Sequence, residues 1–457
     1  MTKMRLSIDG AVRPRYLGIV AAIEVALSRG DLVPGERFPT QRELARQLGT
    51  AIATISRAYG EAERRGLLTS HVGRGTFVAS VSRGMKSPRA EAPPPGIIDL
   101  AMYRVQTPPL GSIVHEAAKL AITDERLLTM LDAHTPAGVA GYREAGASWL
   151  NRLGVPAAPP EVLVCNGGQH AMLVTLGVLA ERDDVILTER LTDPSMKAVS
   201  VLLGRSLYPV DMDEGGLLPD ALERACTDSK ARVLYCTPTL HNPTNATLNL
   251  GRREAIVEIA RRHKIQIVES VLYGLHLPDA PPALAALAPE RTYVIASLGR
   301  ILGPGCKVGY VAGPPGSSER LAMGMSMSMG MASPIAIEIA TRLLASGKIQ
   351  HFIKWQKKEA AARSVIATAQ LAGFGLRSEP SSTHAWLTLT AGWRADEFVE
   401  KLANSRVMTS YPHSFVVGRG AVPHAIRLCL GAPSDRDELT HALSTVAATL
   451  RSAPRYV

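Results

Sequence analysis

Cysteine and long apolar runs are both scarce in this chain. Only five of its 457 residues are cysteine, and their wide spacing, without a Cys-x-x-Cys pair, argues against a disulfide framework and against a zinc site. No run of about 18 uncharged apolar residues is present, which argues against a membrane span. The N-terminal stretch from Met1 to Arg15 is basic and polar and lacks the apolar core of a signal peptide. We therefore expect a soluble, cytoplasmic protein.

The chain does have ample apolar content and an uneven surplus of positive charge. Hydrophobic residues make up 46% of the sequence, enough for at least one large core and, at this length, for two or three folded units. The formal net charge is +10. Residues 1–80 hold twelve Lys or Arg against seven Asp or Glu, so half of the surplus lies in under a fifth of the chain. Such a surplus suits an anionic partner.

Three changes of pattern divide the sequence. Residues 1–80 contain a compact, helix-rich stretch that ends in a glycine-bracketed turn, and residues 81–96 lack apolar periodicity and predict an extended linker. From residue 97 to residue 457, short apolar runs typical of strands alternate with helical stretches. This alternation predicts an α/β fold with a largely parallel sheet covered by helices. From about residue 348 onward, the pattern predicts a smaller α+β lobe.

The order of elements in the first of these parts predicts a winged helix-turn-helix. Thr40 is followed three residues later by Glu43, which completes a capping box at the start of the second helix, and Gly49 ends that helix. A short turn and a basic, glycine-rich wing tip are what docking in the major groove with phosphate contacts requires. The three predicted helices and two wing strands are residues 16–28, 40–49, 52–65, 67–70 and 77–78.

Residues 34–78, PGERFPTQRELARQLGTAIATISRAYGEAERRGLLTSHVGRGTFV, resemble the DNA-binding domain of the GntR-type bacterial regulators. The resemblance implies double-stranded DNA as a partner. That family often has an arginine where this chain has Ile52, so we expect a base-reading contact to be absent there. The alternative is that the arginines of this stretch are solvated surface charges on a generic helical bundle. The DNA contacts implied by the resemblance are Arg42, Thr50, Thr54, Arg57, Gly73 and Arg74.

Five separated segments of the second part belong together. Their order and spacing resemble the fold-type I aminotransferases, and the whole chain resembles the MocR branch of the GntR regulators. That branch fuses a winged helix-turn-helix to an aminotransferase-like domain and uses pyridoxal phosphate in an effector sensor. The segments are residues 165–170 (CNGGQH), 237–245 (TPTLHNPTN), 268–273 (VESVLY), 297–310 (SLGRILGPGCKVGY) and 425–431 (AIRLCLG).

The resemblance implies a phosphate cup in two of these segments. Gly168 and Gln169 open a helix after a strand, where unpaired amides and the helix dipole favour an anion. Ser297 and Lys307 match the hydroxyl and the cation that complete the cup, with lysine where the family usually has arginine. We therefore expect these four residues to surround a phosphate group.

The remaining segments match the parts that hold the cofactor ring and the substrate, with two departures. Asn242 and Tyr273 match the partners of the ring hydroxyl, and Arg427 matches the clamp for a substrate carboxylate. Ser270 stands three residues before Tyr273, where a carboxylate should face the ring nitrogen. Arg300 stands where the lysine that forms the Schiff base should be.

Arginine cannot take over the chemistry of that lysine, because a guanidinium stays charged at physiological pH. Without the carboxylate, the cofactor ring is also a poorer electron sink. Two further departures concern tyrosines. Related chains have a tyrosine where this chain has Asp193, and another, at the position of Ala133 or His134, that reaches the phosphate in the partner subunit. We predict that the domain has no catalytic residues and negligible transaminase activity, and we predict no metal site.

What remains is a cavity that favours anions. Our hypothesis is that it binds a small anionic molecule without a covalent bond, either pyridoxal phosphate or another phosphate or carboxylate. The alternative is that Arg300 pairs internally with Glu269 or Asp193 and that the pocket is empty scaffold. The positive groups that define the cavity are the helix N-terminus at Gly168 with Arg300, Lys307 and Arg427, beside the hydroxyl of Ser297.

The favoured interpretation is a transcriptional regulator that forms a head-to-tail homodimer, with two winged helices facing paired half-sites and an effector that biases their spacing. Two alternatives stay open at this point. One is a working pyridoxal-phosphate aminotransferase with an accessory DNA-binding domain. The other is a constitutive DNA-binding dimer that takes no ligand.

Overall fold

The chain divides into two compact units, residues 1–91 and 92–457. The predicted linker, residues 81–96, lies mostly outside the described part of the chain, so the predicted boundaries 1–80, 81–96 and 97–457 stay predictions. The computed structural model describes residues 14–28, 31–32, 36–64, 67–71, 75–78, 94–104, 110–132, 135–271, 277, 279–303, 305–380, 382–390, 392–418 and 422–452.

The first unit is a winged helix-turn-helix, which confirms the prediction. The side chain of Thr40 accepts a hydrogen bond from the amide of Glu43, and the Glu43 carboxylate accepts one from the Thr40 amide at 2.8 Å. Gly49 ends the second helix with a φ of 56°, a left-handed conformation that glycine adopts at little cost. The elements are α1 (Arg15–Ser28), α2 (Gln41–Leu48), α3 (Ile52–Arg64) and the antiparallel strands β1 (Leu68–His71) and β2 (Gly75–Val78).

A small core holds helix α3 against the rest of this unit. Ile55 and Tyr59, one turn apart on α3, are both buried. The ring of Tyr59 meets that of Phe38 edge to face at 5.6 Å between centroids, and its hydroxyl donates to the carbonyl of Pro39. Burial therefore fixes α3 from its second turn onward.

The second unit is built on a seven-stranded sheet in the order β4-β12-β11-β10-β9-β5-β6. Strand β12 is antiparallel to both of its neighbours, and the other pairs are parallel, which confirms the predicted parallel sheet. The strands are β4 (Val162–Cys165), β5 (Val185–Glu189), β6 (Ser206–Val210), β9 (Val233–Cys236), β10 (Gln266–Ser270), β11 (Thr292–Ser297) and β12 (Gly309–Ala312), with β3 (Ile98–Asp99) before them and the pair β7 (Met212–Asp213) and β8 (Gly216–Leu217) between β6 and β9.

Two hydrophobic cores cover the opposite faces of this sheet. Neighbouring residues on one strand belong to different cores: Ile186 packs in one and Leu187 in the other, and Val233 and Leu234 divide in the same way. A strand buried on both faces needs a continuous apolar run, which is the pattern the sequence shows. The covering helices are α4 (Leu110–Ile122), α5 (Leu127–Leu131), α6 (Ala140–Arg152), α7 (Gly168–Leu179), α8 (Pro194–Leu202), α9 (Pro219–Ser229), α10 (Leu250–Arg262), α11 (Leu284–Leu287), α12 (Gly299–Leu302), α13 (Ser318–Ser328) and α14 (Pro334–Ala345).

The C-terminal part of this unit forms the predicted α+β lobe around a core of its own. Its sheet has three antiparallel strands in the order β13-β14-β16, and the short strand β15 pairs with β3 near the start of the unit. The elements are α15 (Lys348–Gln370), β13 (Gly375–Ser378), β14 (His384–Thr388), α16 (Ala395–Asn404), β15 (Val407–Met408), β16 (Ala425–Cys429) and α17 (Arg436–Arg451).

The topology brings four of the five predicted site segments to one edge of the large sheet, and the fifth, residues 425–431, begins on β16 of the smaller sheet. Strands β4, β5, β9, β10 and β11 run in the same direction, so their carboxyl ends meet at that edge. Ligands bind at the carboxyl ends of strands in open α/β sheets. Within the described residues, no helix is long and apolar enough to cross a membrane.

Candidate functional site

One corner of the site is the start of helix α7, directly after strand β4. Gly167 precedes the helix with a φ of 86°, and Gly168 is its first residue. A Cβ atom on Gly309 would lie 2.6 Å from the carbonyl carbon of Gly167, so the two backbones approach as only glycine allows. The stem of Lys307 lies beside Gly167 and its side chain is exposed. The structure thus places the predicted cation at the predicted helix N-terminus.

Gln169 and Ser297 are also at this corner, and both already have hydrogen-bond partners. The side-chain amide of Gln169 donates to the Ser195 hydroxyl at 3.0 Å, which ties α7 to the first turn of α8. The Ser297 hydroxyl donates to the Val308 carbonyl at 3.3 Å and accepts from the Gly299 amide at 3.1 Å. Ser297 therefore shapes the loop that carries Arg300 and Lys307.

Arg300 is stacked on an aromatic ring. Its guanidinium carbon lies 4.6 Å from the centroid of the Tyr103 ring, and the Tyr103 hydroxyl donates to the Arg300 carbonyl at 2.6 Å. A guanidinium over a ring face is held by cation–π attraction and by stacking. Sequence reasoning missed Tyr103, because it lies 197 residues before its partner and no motif marks it.

Glu269 and Asp193, the two carboxylates proposed as internal partners of Arg300, accept hydrogen bonds from other groups. Glu269 accepts a hydrogen bond from the Ala285 amide at 3.0 Å. Burial raises the pKa of the Glu269 carboxyl, and the positive charge of Arg253 opposes that rise. Asp193 caps α8 by accepting from the Ser195 amide at 2.7 Å, and its second oxygen accepts from the Asn242 side chain at 2.6 Å. Asp193 is thus part of a hydrogen-bonded chain with Asn242.

That chain continues to Arg427. Its Nη1 donates to Asn242 Oδ1 at 2.9 Å, and its Nη2 donates to the carbonyl of Ala101 and, at 3.1 Å, to the Ser410 hydroxyl. The guanidinium also stacks on Phe415, 4.9 Å from the ring centroid. Its Nε is buried and has no hydrogen-bond partner among the described residues. The predicted carboxylate clamp is therefore held internally, with one donor left over.

Arg300 and Arg427 lie in one region, because both contact the stretch from Ala101 to Tyr103, and both act on two buried neighbours. Burial lowers the pKa of His384 well below its usual range, and the charges of Arg427 and Arg300 lower it further. Burial raises the pKa of the Cys429 thiol, while the same two arginines oppose that rise. His384 is consequently neutral at physiological pH, and the positive charges of both arginines act on it.

Ser270 ends strand β10 and is buried, with 2% of its surface exposed. Its hydroxyl hydrogen-bonds the hydroxyl of Tyr235, whose pKa burial raises. The group at this position is therefore neutral and is already paired within the sheet. Tyr273, predicted to reach the ring hydroxyl, lies outside the described residues, as do Ala133 and His134.

A buried acid and a buried imidazole lie next to this site, and sequence reasoning missed the pair. Burial raises the pKa of Glu189 to about 7. Hydrogen bonds from the Thr237 amide and the Thr188 hydroxyl favour the charged carboxylate and limit this rise. His241 Nε2 lies 4.0 Å from Glu189 Oε1, and burial lowers the pKa of His241 to about 4. The sequence signal that could have indicated this pair is Glu189 itself, an acidic residue at the end of a largely apolar strand.

The described residues among those predicted to contact DNA lie on α2, on α3 and, for Thr50, in the turn between the two helices. Arg42 and Arg57 are exposed, and Thr50 and Thr54 are partly buried. Gly73 and Arg74 of the wing tip lie outside the described residues. The structure thus leaves both described arginines accessible.

Two family models match the chain. Residues 95–446 match the model for aminotransferase class I and II, and residues 15–78 match that for bacterial regulatory proteins of the gntR family. The chain belongs to the aminotransferase class I and II family. With the GntR domain in front, it is a transcriptional regulator of the MocR type, as the resemblance implied.

Two relatives named as transcriptional regulators match nearly the whole MocR-type chain. It is 28% identical over 446 residues to the uncharacterized HTH-type transcriptional regulator YdeF of Bacillus subtilis, with 96% of this chain and 94% of that one covered. It is 26% identical to the vitamin B6 salvage pathway transcriptional repressor PtsJ of Salmonella typhimurium, with 95% and 97% covered. An archaeal alanine:glyoxylate aminotransferase structure shares the fold, with a TM-score of 0.71 and 22% identity over 77% of this chain and 90% of that one.

The buried carboxyl of Glu189 makes the stability of this MocR-type chain depend on pH. Its pKa is raised from 4.5 to about 7 by folding, so the folded state keeps a proton that the unfolded chain releases. The resulting loss of stability is absent below about pH 4.5, grows up to about pH 7 and is constant above it. The glutamine side chain of Glu189→Gln is neutral at every pH. We therefore expect the melting temperature of this variant minus that of the parent protein to rise between about pH 4.5 and about pH 7.

Thermal unfolding of both proteins across this pH range measures the difference. His384 is present in both proteins, so its contribution cancels in the comparison, and the variant Glu189→Gln/His241→Gln against His241→Gln repeats the measurement without the neighbouring imidazole. A difference that stays constant with pH would contradict the raised pKa of Glu189.

Proposed function

We propose that this regulator binds specific DNA sites as a homodimer and that its aminotransferase-like domain senses a small anionic ligand without transaminase catalysis. The observation that carries the proposal is the stacked guanidinium of Arg300, which shares its region with Arg427 in a chain that begins with a GntR domain. The proposed domains are residues 1–80 for DNA binding, residues 81–96 as linker and residues 97–457 for effector binding and dimerisation.

The absence of catalysis is argued from two groups. Transamination with pyridoxal phosphate needs an amine that links to the cofactor and accepts a proton, and a guanidinium does neither. It also needs a carboxylate at the ring nitrogen, and the Ser270 hydroxyl is neutral. Since both groups would have to change, the site is proposed to bind rather than to react.

Anion binding is supported by the charges that converge on the site. The α7 N-terminus with Lys307 forms one anion-favouring corner, and the two arginines form another. Pyridoxal phosphate is one candidate: Gly168, Gln169, Ser297 and Lys307 would hold its phosphate, and when bound it supplies a phosphate and an aromatic aldehyde. The same corner suits another phosphate or a dicarboxylate.

Arg427 gives the site two arrangements. In this structure its terminal nitrogens hold Asn242 and Ala101, and a ligand carboxylate that took the guanidinium would have to replace those acceptors. A ligand shifts a conformational equilibrium only through such a difference in contacts. In the proposed head-to-tail dimer, that difference would bias the spacing of two winged helices on paired half-sites.

Anion binding is tested by thermal unfolding with inorganic phosphate, pyridoxal phosphate or succinate. A ligand at 100 times its dissociation constant should stabilise the folded protein by about 2.7 kcal/mol. Lys307→Gln should weaken phosphate binding about tenfold, since it removes one charge-assisted contact. Lys119→Gln, an exposed lysine on α4, is the control. No shift with any of the three anions would favour the constitutive regulator instead.

DNA binding is tested on the promoter region of the protein's own gene. Arg42→Ala and Arg57→Ala should each weaken binding and reduce the slope of log affinity against log salt by about 0.9, the value for one phosphate contact. Fluorescence anisotropy at several salt concentrations measures both quantities. Arg394→Ala, which removes an exposed arginine of the second unit, is the control. Unchanged affinity and slope in both variants would refute the docking model.

The lack of a covalent link is tested by incubation with pyridoxal phosphate, borohydride reduction and peptide mass spectrometry. The native chain should carry no label at Arg300, whereas Arg300→Lys should become labelled. Transaminase activity should still be negligible in Arg300→Lys, because Ser270 remains. Full activity in that variant would overturn the proposal, and the double variant Arg300→Lys/Ser270→Asp shows whether the carboxylate was the missing part.

A further inference from the structure

The start of helix α3, together with the residue before it, carries an exposed apolar surface. Ala51, Ile52 and Ala53 are all exposed, and Ile52 keeps 51% of its surface accessible. We call these three residues the apolar tip. The buried side chains of α3 begin with Ile55, so the core of the unit needs little from the tip.

The place of the apolar tip in the fold is that of the base-reading part of a recognition helix. In helix-turn-helix proteins, the N-terminal residues of the second helix of the motif contact base edges in the major groove. Here that helix is α3, and the turn before it is fixed by Gly49. Exposed arginines at residues 42 and 57 lie on the same two helices and complement a phosphate backbone.

The side chains of the apolar tip have neither donors nor acceptors. They cannot read the O6 and N7 atoms of guanine or the N6 and N7 atoms of adenine. The one apolar feature that a base pair offers in the major groove is the C5-methyl group of thymine, which alanine and other apolar side chains contact. Water leaves both surfaces in that contact, so it stabilises the complex.

We propose that Ile52, flanked by Ala51 and Ala53, makes the protein select a thymine in each half-site through contact with its methyl group. This inference rests on the proposed DNA-binding function and adds a specificity-determining residue to it. It gives the departure at Ile52 a positive role, where the sequence alone predicted the loss of a base contact.

Selection from a random duplex library with the full-length protein tests the proposal. The native chain should enrich sites with one invariant thymine per half-site, and Ile52→Arg should replace that thymine by guanine, which arginine reads in bidentate fashion. Ile52→Val keeps a branched apolar group and should retain the thymine. Identical base preferences for the native chain and Ile52→Arg would overturn the proposal. No enrichment with the native chain would instead refute the DNA-binding function, and this inference with it.

A second measurement removes only the methyl group. Uracil in place of the invariant thymine should weaken binding of the native chain about fourfold, the effect of one buried methyl group. Ile52→Ala keeps only one methyl group at this position and should discriminate between the thymine and uracil sites less than the native chain does, whereas Val25→Ala, which truncates an exposed apolar residue on α1, should discriminate as the native chain does. Equal affinity of the native chain for both sites would contradict the methyl contact. Thermal unfolding of each variant confirms that the unit is folded.

Discussion

The candidate site depends on the direct packing of Gly309 against Gly167. The approach of these two backbones sets strand β12 beside the start of α7 and so positions Lys307 at the helix N-terminus. Any Cβ at residue 309 would collide with backbone atoms, which cannot move aside as a flexible side chain can. The loop that carries Arg300 and Lys307 begins and ends on neighbouring strands, so its course is fixed by the same contact.

Around this fixed corner the chain has the fold of an aminotransferase, and the predicted difference in chemistry concerns two positions. Ser270 ends strand β10, and Arg300 lies on α12, directly after the neighbouring parallel strand β11. Both side chains have partners within the fold, the Tyr103 ring for Arg300 and the Tyr235 hydroxyl for Ser270.

Much of this architecture could be predicted from the sequence, because its signals are local. The capping box at Thr40 and the glycine at residue 49 set the ends of α2, and apolar runs placed the buried strands. The partners of the site arginines could not be predicted, since Tyr103 and Ala101 reach Arg300 and Arg427 across 197 and 326 residues. No spacing rule relates residues that far apart, and only the folded sheet brings them together.

Ala101 and Tyr103 have a further importance that follows from their place in the chain. They follow the predicted linker closely, in the stretch of described residues where β3 pairs with β15. Arg427 holds this stretch through the Ala101 carbonyl, and Arg300 holds it through Tyr103. Residues 101–103 of the second unit are thus held by the same two guanidinium groups that the proposed anionic ligand would engage, so an anion that competed for them would loosen this stretch of the chain first.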